Sequence, residues 1–379
     1  MVQFRKTKRV KRCIRHWRCN VIDELINIEP YSLAKEDKQR VLTRALAELT
    51  VFHYDNCPEY RGMLDAIGFD PRGDIRSYYN LPSLPIRLFK ELTLKSVNDK
   101  DVFKTMTSSG TTGQSVSKVF LDRETASIQQ KALVKIVSSF IGSSRLPMII
   151  VDYPSVVKDR QMFSARGAGI IGFSTFGNDK IFAFDDDMKL DINSLTAFLE
   201  KHNGRRILLF GFTFLVWQYF YSELKKLQNC INLSNGILIH GGGWKKLASQ
   251  RVNSDVFKIE LKAVCGINSV HDYYGMVEQT GCIYVECEHG YLHTSVFSDV
   301  ITRRAKDLSI CDYGETGIVE VVSVLSKSYC GHALLTEDEG VVFGEDDCSC
   351  GRKGKYFKIL GRLKNAEIRG CSDTYAADL

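Results

Sequence analysis

Apolar positions recur along this chain with two different periods. Between residues 33 and 53, Leu42, Ala45, Leu46 and Leu49 follow one another at helical spacing. Side chains three and four positions apart lie on one face of a helix. This pattern therefore predicts an amphipathic helix near the start of the chain.

Four short, almost continuous apolar runs follow in the middle of the chain. They lie at residues 118–121, 148–151, 207–210 and 237–239. Helical patterns at 124–141 and from Asp191 to His202 separate them. Apolar strands that alternate with helices are typical of α/β folds with parallel sheet. We therefore expect an α/β fold with layered sheets and helices.

The pattern changes after Gly281, where short strands such as 317–324 stand among glycine-rich and charged turns. Short strands separated by such turns are typical of antiparallel sheet. We therefore expect a smaller β-rich lobe at residues 281–361.

The charge of the chain is concentrated at its start. The sequence has 379 residues and a net charge of +6, but residues 1–18 hold eight Lys and Arg and no acidic residue. The other 361 residues hold 43 basic and 45 acidic side chains, a net charge of −2. We predict a flexible basic leader at 1–18, either solvated or docked on an acidic partner or an anionic surface. The near-neutral remainder argues against a nucleic-acid function.

No segment has the character of a membrane span or a secretory signal. The most apolar run, residues 207–221, is too short and contains Gly211, Thr213 and Gln218. Acidic residues closely follow the basic leader, where a signal peptide would be apolar. We expect a cytoplasmic protein without an integral membrane segment, whose twelve cysteines are mostly reduced.

One segment is dense in hydroxyl and glycine residues. It consists of Thr107, Ser108, Ser109, Gly110, Thr111, Thr112 and Gly113. Lys118 follows shortly afterwards. Glycines let a backbone curl so that its N–H groups can surround phosphate oxygens, and a lysine can neutralise their charge. The segment lacks the Walker A spacing, so it predicts a phosphate loop of another kind, or else an ordinary turn.

Further motifs follow this loop in a recognisable order. They are His240-Gly241-Gly242-Gly243, Tyr273-Tyr274-Gly275-Met276-Val277-Glu278, Thr336-Glu337-Asp338 and Gly361-Arg362-Leu363-Lys364. Together with the loop they resemble the motifs of the acyl-adenylate-forming enzymes, over about residues 81–371. Val277 and Glu337 depart from the usual hydroxyl and glycine of that family.

The resemblance implies a role for each motif. The 107–113 loop and Lys118 would hold the phosphates of ATP, and Glu278 would bind Mg²⁺. The glycine run would lie against adenine, and Tyr274 would stack near it. Asp338 would hold the ribose hydroxyls. Arg362, which belongs to the hinge motif, would also take part in nucleotide binding.

Within this superfamily the chain most resembles the LuxE-type acyl-protein synthetases of bacterial fatty acid reductase, with the phenylacetate–CoA ligases as the next relatives. The chain ends 15 residues past Lys364. We therefore expect an adenylate-forming domain at 19–361, and a C-terminal subdomain truncated to a hinge and tail at 362–379. The resemblance implies that Cys371 accepts the acyl group, beside the positive charge of Arg369.

The function so implied is that of an AMP-forming acid–thiol ligase. It would activate a long-chain fatty acid as acyl-AMP, take the acyl group on Cys371 and pass it to a partner reductase or acyltransferase. One alternative is transfer to CoA, a carrier protein or a polysaccharide precursor. Another is an inactive nucleotide-binding scaffold, which Val277, Glu337 and the missing C-terminal lysine would favour.

Cysteine and histidine spacing in the β-rich region suggests a metal site. The candidate ligands are Cys287, His293, Cys348 and Cys350, with Cys282, His289, Cys330 and His332 as rivals. Thiolates and imidazole suit tetrahedral zinc. We predict a structural zinc site there, the alternative being free, partly buried thiols.

Six aromatic residues lie within residues 210–220. The resemblance places this region beside the acyl pocket, and Phe212 and Phe214 are the candidates for lining it. The alternative is that they belong to an ordinary core segment between a strand and a helix.

Overall fold

A computed structural model describes residues 21–108, 115–157, 165–227, 231–244 and 252–363. Its helices are numbered here in chain order. They are α1 (Lys35–Asn56), α2 (Pro58–Ala66), α3 (Leu88–Glu91), α4 (Arg123–Ile141), α5 (Ala165–Phe173), α6 (Ile192–Lys201), α7 (Thr213–Leu215), α8 (Ser222–Leu227) and α9 (Ser254–Cys265). Residues 21–27 are also helical. A π-helical turn, Val216–Tyr221, joins α7 to α8.

Fourteen strands are described. They are β1 (Leu84–Pro85), β2 (Lys104–Thr107), β3 (Lys118–Leu121), β4 (Leu146–Val151), β5 (Gly177–Phe182), β6 (Ile207–Phe212), β7 (Gly236–Gly241), β8 (Ser269–Tyr274), β9 (Tyr284–Glu286), β10 (Leu292–His293), β11 (Ser298–Arg303), β12 (Thr316–Ser323), β13 (Ala333–Glu345) and β14 (Lys355–Arg362). Twelve of them form one sheet, with the order β11-β12-β13-β14-β10-β9-β8-β7-β6-β4-β5 and with β1 paired to β13. Strands β2 and β3 form a separate hairpin.

The parallel part of the sheet confirms the alternation predicted from the sequence. Strands β5, β4, β6, β7 and β8 run parallel. Every residue of β6 and of β7 is buried, as expected for parallel strands covered on both faces.

Helix boundaries follow local chemistry. The Asp122 carboxylate accepts a hydrogen bond from Thr125 N at 2.7 Å and caps α4, and Asp191 caps α6 through Ser194 N at 3.0 Å. Gly142, with φ of +89°, ends α4 in a conformation that favours glycine. The helices predicted at 124–141 and after Asp191 are thus confirmed.

The β-rich region continues the same sheet. Strand β8 pairs antiparallel with β9. The strand predicted at 317–324 is β12, which pairs antiparallel with β11 and β13. The strands after Gly281 therefore extend the parallel sheet and share its hydrophobic core.

Helix α1 is anchored to this extension by buried charges. Lys38 Nζ lies 3.4 Å from Asp299 Oδ1 and donates to Thr294 Oγ1 at 2.7 Å. Lys355 Nζ lies 2.6 Å from Asp299 Oδ2, and the Tyr78 hydroxyl also donates to this carboxylate. A single buried carboxylate thus joins α1, β11 and β14.

The most apolar run of the chain does not form one long helix. Residues 207–221 divide between strand β6, the short helix α7 and the π-helical turn. Among the described residues, no helix combines the length and the apolar character that crossing a membrane requires.

Candidate functional site

Two of the motifs predicted from the sequence, the glycine run and the Tyr273–Glu278 motif, begin at the same edge of the sheet. Strands β6, β7 and β8 are parallel, so their carboxyl ends at Phe212, Gly241 and Tyr274 lie along the same edge. In open α/β sheets this is the edge where ligands bind.

The proposed phosphate loop connects the strands of the β2–β3 hairpin. Thr107 pairs with Lys118, and Ser117 N donates to Ser108 Oγ at 2.9 Å. The two ends of the loop are therefore held together, and the Lys118 side chain is exposed beside them. The other residues of this loop that are predicted to bind phosphate lie outside the described residues: Ser109, Gly110, Thr111, Thr112 and Gly113.

The glycine run begins where β7 ends. A Cβ on Gly241 would lie only 2.5 Å from the Tyr273 ring, so the ring of the neighbouring strand requires a glycine there. Gly242 has φ of +83°, which other residues rarely adopt, and Gly243 has open space around it. The glycines therefore give the backbone after β7 a conformation and a closeness to its neighbours that larger residues would not allow.

Tyr274, Asp338 and Arg362 come together although they are far apart in the sequence. The Tyr274 hydroxyl donates to Asp338 Oδ2 at 2.7 Å, and Arg362 Nε lies 3.5 Å from Asp338 Oδ1. Asp338 pairs with Arg362 across β13 and β14. Burial, followed by the Asp338 charge, raises the pKa of Tyr274, so its hydroxyl stays protonated as a donor.

Glu278 lies in the 3₁₀ turn Val277–Gln279 and is only 2 % exposed. Strand β3, which begins at Lys118, packs against this turn. The Gln279 amide donates to Val321 O at 3.2 Å and to Gly331 O at 2.9 Å, which fixes the turn on the sheet.

The two candidate pocket residues differ in their surroundings. Phe212 is buried at the end of β6, in edge-to-face contact with Phe210 at 5.9 Å. Its ring faces Gly169 of α5 and Gly242, since a Cβ on either glycine would lie 3.3 Å from it. Phe214 is half-buried and packs on the same core.

Cys287, His293, Cys348 and Cys350 converge at the end of the β-rich region. One ligand atom from each lies within 4.8 Å of the others, and Cys350 Sγ is 3.3 Å from His293 Nε2. Cys287 follows β9, His293 lies in β10, and the other two cysteines stand in the β13–β14 turn. Among the described residues these are the only such group, and the rival His332 contacts Thr50 Oγ1 instead, at 3.1 Å.

The surroundings of this cluster suit a metal. Burial lowers the pKa of His293 to about 4, so its imidazole is neutral and can offer a lone pair. Burial also raises the pKa of Cys348 to about 12, which disfavours a thiolate that has no cation beside it. His293 Nδ1 is buried without a hydrogen bond from the described residues. Three sulfurs and one imidazole at this spacing fit tetrahedral zinc.

The family is decided by comparison with known proteins. The model of the family described as acyl-protein synthetase, LuxE, matches residues 17–379. The chain belongs to this family. The LuxE family membership confirms both the predicted resemblance and the predicted enzyme class, an AMP-forming acyl ligase, and the ATP-dependent activation of a fatty acid is the activity of that class.

Individual relatives agree with this assignment. The chain is 24% identical over 372 residues to the long-chain-fatty-acid–luciferin-component ligase of Vibrio harveyi, covering 93% of this chain and 92% of that protein. It is similar in structure to 2-hydroxyisobutyryl-CoA ligase in complex with R3-HIB-AMP, with a TM-score of 0.64, 14% identity, and coverage of 88% of this chain and 69% of that one. The same ligase in an open conformation gives a TM-score of 0.63 at 14% identity, covering 90% of this chain and 79% of that one. These likenesses confirm the adenylate-forming fold.

One pair of buried residues near the site was missed from the sequence. Arg166 of α5 donates through Nε to Asp152 Oδ2 at 2.6 Å and through a second nitrogen to the other carboxylate oxygen. Both side chains are almost fully buried, and Asp152 directly follows β4. The sequence signal that could have indicated this pair was an aspartate directly after an apolar strand. Its arginine partner stands 14 positions further along the chain, too far for a local pattern to connect them.

The predicted acyl acceptor lies outside the described part of the chain. Cys371 and its neighbour Arg369 follow residue 363, the last one described. Arg362, at the start of the predicted hinge, is the last residue of β14.

Proposed function

We propose that this LuxE family member activates a long-chain fatty acid with ATP and Mg²⁺, carries the acyl group on Cys371 and delivers it to a partner reductase or acyltransferase. The observation that carries the proposal is the contact of Asp338 with both Tyr274 and Arg362 at the carboxyl edge of the sheet. It supports a nucleoside site in the place where the motif resemblance requires one.

In the first step, a carboxylate oxygen of the acid attacks the α-phosphorus of ATP in line. A P–O bond forms, the bond to the β-phosphate breaks, and pyrophosphate leaves with the electron pair. The 107–113 loop and Lys118 hold the departing phosphates, and Asp338 holds the ribose. Glu278 would hold Mg²⁺, which neutralises phosphate charge.

In the second step, the Cys371 thiolate attacks the acyl carbonyl of acyl-AMP. A thioester bond forms and AMP leaves with the electrons of the broken C–O bond. The acyl-enzyme then needs an acceptor, which supports a partner protein rather than free release. Phe212 and Phe214 would line the pocket for the acyl chain.

Acid-dependent exchange of pyrophosphate into ATP tests the first step. We expect exchange with at least one saturated acid between C8 and C18. A folded protein that gives no exchange with any of these acids would instead support a nucleotide-binding scaffold.

A cysteine replacement tests the second step. Cys371→Ser should keep the exchange activity and lose the acyl-protein that neutral hydroxylamine releases. Cys311→Ser, at a buried cysteine outside the Cys/His cluster, is the matched control and should keep both. Acyl-CoA formation by a protein that never becomes acylated would replace the proposed acceptor with CoA.

We further propose zinc at Cys287, His293, Cys348 and Cys350, as a structural clip and not as a catalyst. The convergence of four suitable ligand atoms supports it. We also propose that residues 19–361 form the adenylate-forming domain, with 281–361 as its β-rich part. Residues 362–379 would form the hinge and the acyl-accepting tail.

A further inference from the structure

The proposed zinc centre has an uncompensated charge. Three thiolates, one neutral imidazole and Zn²⁺ together carry one excess negative charge. Three of the four ligands are buried and the fourth is half-buried. Charge held away from water is costly unless an opposite charge lies close to it.

Among the described residues, Arg352 is the basic residue that best fits the role of this opposite charge. It stands two positions after Cys350, in the same turn between β13 and β14. Its guanidinium carbon lies 4.2 Å from the centre of the Phe140 ring and 5.9 Å from that of Tyr31. The Tyr31 ring in turn contacts the His293 ring, with 6.2 Å between ring centres, so the cation packs beside the cluster, and only 15 % of its side chain is exposed.

Glu288 is the competing partner of this arginine. Its Oε2 accepts from Arg352 Nη1 at 2.6 Å, but 58 % of its side chain is exposed. Water screens an exposed carboxylate more effectively than a half-buried sulfur. Glu288 therefore offsets only part of the arginine charge, and the remainder acts on the cluster.

We propose that Arg352 is the charge-compensating residue of the zinc centre, and that its guanidinium raises the affinity of the cluster for Zn²⁺. This inference rests on the proposed zinc site, and it adds a role for a residue that is not itself a ligand. Because Arg352 also rests on Phe140 of α4, it joins the metal-bearing turn to the helix that covers the sheet.

Zinc affinity, measured by competition with a chromophoric chelator, tests the proposal. We expect Arg352→Gln to bind Zn²⁺ roughly 10–100-fold more weakly than the unaltered chain, the range typical of residues around metal ligands. Arg352→Lys keeps the charge and should lose less affinity. Glu288→Gln removes the competing charge and should leave the affinity equal or higher.

Arg72→Gln is the matched control, because Arg72 also pairs with an acid, Asp55, and lies 5.3 Å from the ring centre of Tyr54, but it is not part of the turn that bears the Cys/His cluster. Its zinc affinity should be unchanged. Equal affinity of Arg352→Gln and the unaltered chain would overturn the proposal, and so would a comparable loss in Glu288→Gln.

Unfolding of the zinc-loaded and the zinc-free protein separates charge compensation from packing. We expect Arg352→Gln to destabilise the loaded form more than the zinc-free form. An equal loss in both would mean that Arg352 only packs on Phe140, and would overturn the proposal. An unaltered chain that binds no zinc would overturn the centre as well, while leaving the exchange assay of fatty acid activation unaffected.

Discussion

At the scale of single residues, the candidate site is defined by contacts between side chains on different strands. Tyr274 at the end of β8 and Arg362 at the end of β14 both reach the carboxylate of Asp338. The carboxylate is therefore contacted from two sides, and in the proposed function it accepts further hydrogen bonds from a ribose.

Removing the Tyr274 hydroxyl should weaken nucleotide binding. A hydrogen bond to a charged acceptor contributes about 1.5–3 kcal/mol. We therefore expect Tyr274→Phe to raise the KM for ATP roughly tenfold or more in the exchange assay, with little change in the KM for the acid. Tyr313→Phe is the control, since Tyr313 also donates to a carboxylate, Glu345, at 3.2 Å. An equal effect in both variants would refute the role of Tyr274.

At the scale of elements, two buried clusters join segments that are distant in the sequence. Asp299 holds α1 and β14 to β11, and the Cys/His cluster holds the β9–β10 hairpin to the β13–β14 turn. Both clusters lie in the β-rich half, where several strands are short and offer few ladder hydrogen bonds.

Removing a ligand should release the proposed zinc. We expect Cys348→Ala to lose bound zinc by elemental analysis and to melt at a lower temperature, because metal binding contributes to folding free energy. Cys311→Ala should retain the metal. A chelator should lower the melting temperature of the unaltered chain but not that of Cys348→Ala; a variant that still holds one zinc per chain would contradict the ligand set.

Asp299→Asn leaves two buried lysines without their carboxylate. Breaking a buried pair in this way costs about 3–5 kcal/mol, and denaturant unfolding should show that loss. Asp74→Asn, at an exposed ion pair with Arg76, should change stability little. A small effect at Asp299 would mean that α1 is held by its apolar face alone.

The contribution of Asp299 should depend on pH in a defined direction. Burial alone would raise the pKa of Asp299, but Lys355 and Lys38 lower it to about 2. A carboxyl with a lowered pKa stabilises the fold above its unfolded pKa of about 3.9 and loses this effect as the pH falls through its folded pKa. The stability difference between the unaltered chain and Asp299→Asn should therefore shrink between about pH 4 and pH 2. A constant difference over that range would be inconsistent with this shift.

At the scale of the whole molecule, the parallel and antiparallel strands form one sheet. Strand β8 is parallel to β7 on one side and antiparallel to β9 on the other, so the sheet changes from parallel to antiparallel pairing at β8. The proposed nucleoside-binding residues come from both sides of this change: Tyr274 from β8, Asp338 and Arg362 from β13 and β14. The site therefore depends on the integrity of the entire sheet.

One sheet with one shared core should unfold cooperatively. We expect a single calorimetric transition that coincides with loss of circular dichroism, because neither half can lose its strands without exposing the core of the other. Two separated transitions would show instead that the β-rich region folds by itself.

Local patterns in the sequence determined much of this protein. Periodicity located the strands at 148–151, 207–210 and 237–239, and Asp191 marked a helix start because its capping bond reaches only three residues. The motif order determined the family, and ligand chemistry selected the four Cys/His residues. These signals are readable because each depends on the residues themselves or on neighbours a few positions away.

Only the tertiary structure decided which distant residues touch. Strand order and register bring Tyr274 to Asp338, unite Cys350 with His293 and place Lys38 on Asp299. The Asp152–Arg166 pair and the position of Arg352 over Phe140 could not be predicted from the sequence either. Such contacts follow from how elements pack and not from periodicity within one element, because the same local pattern is compatible with many registers and neighbours.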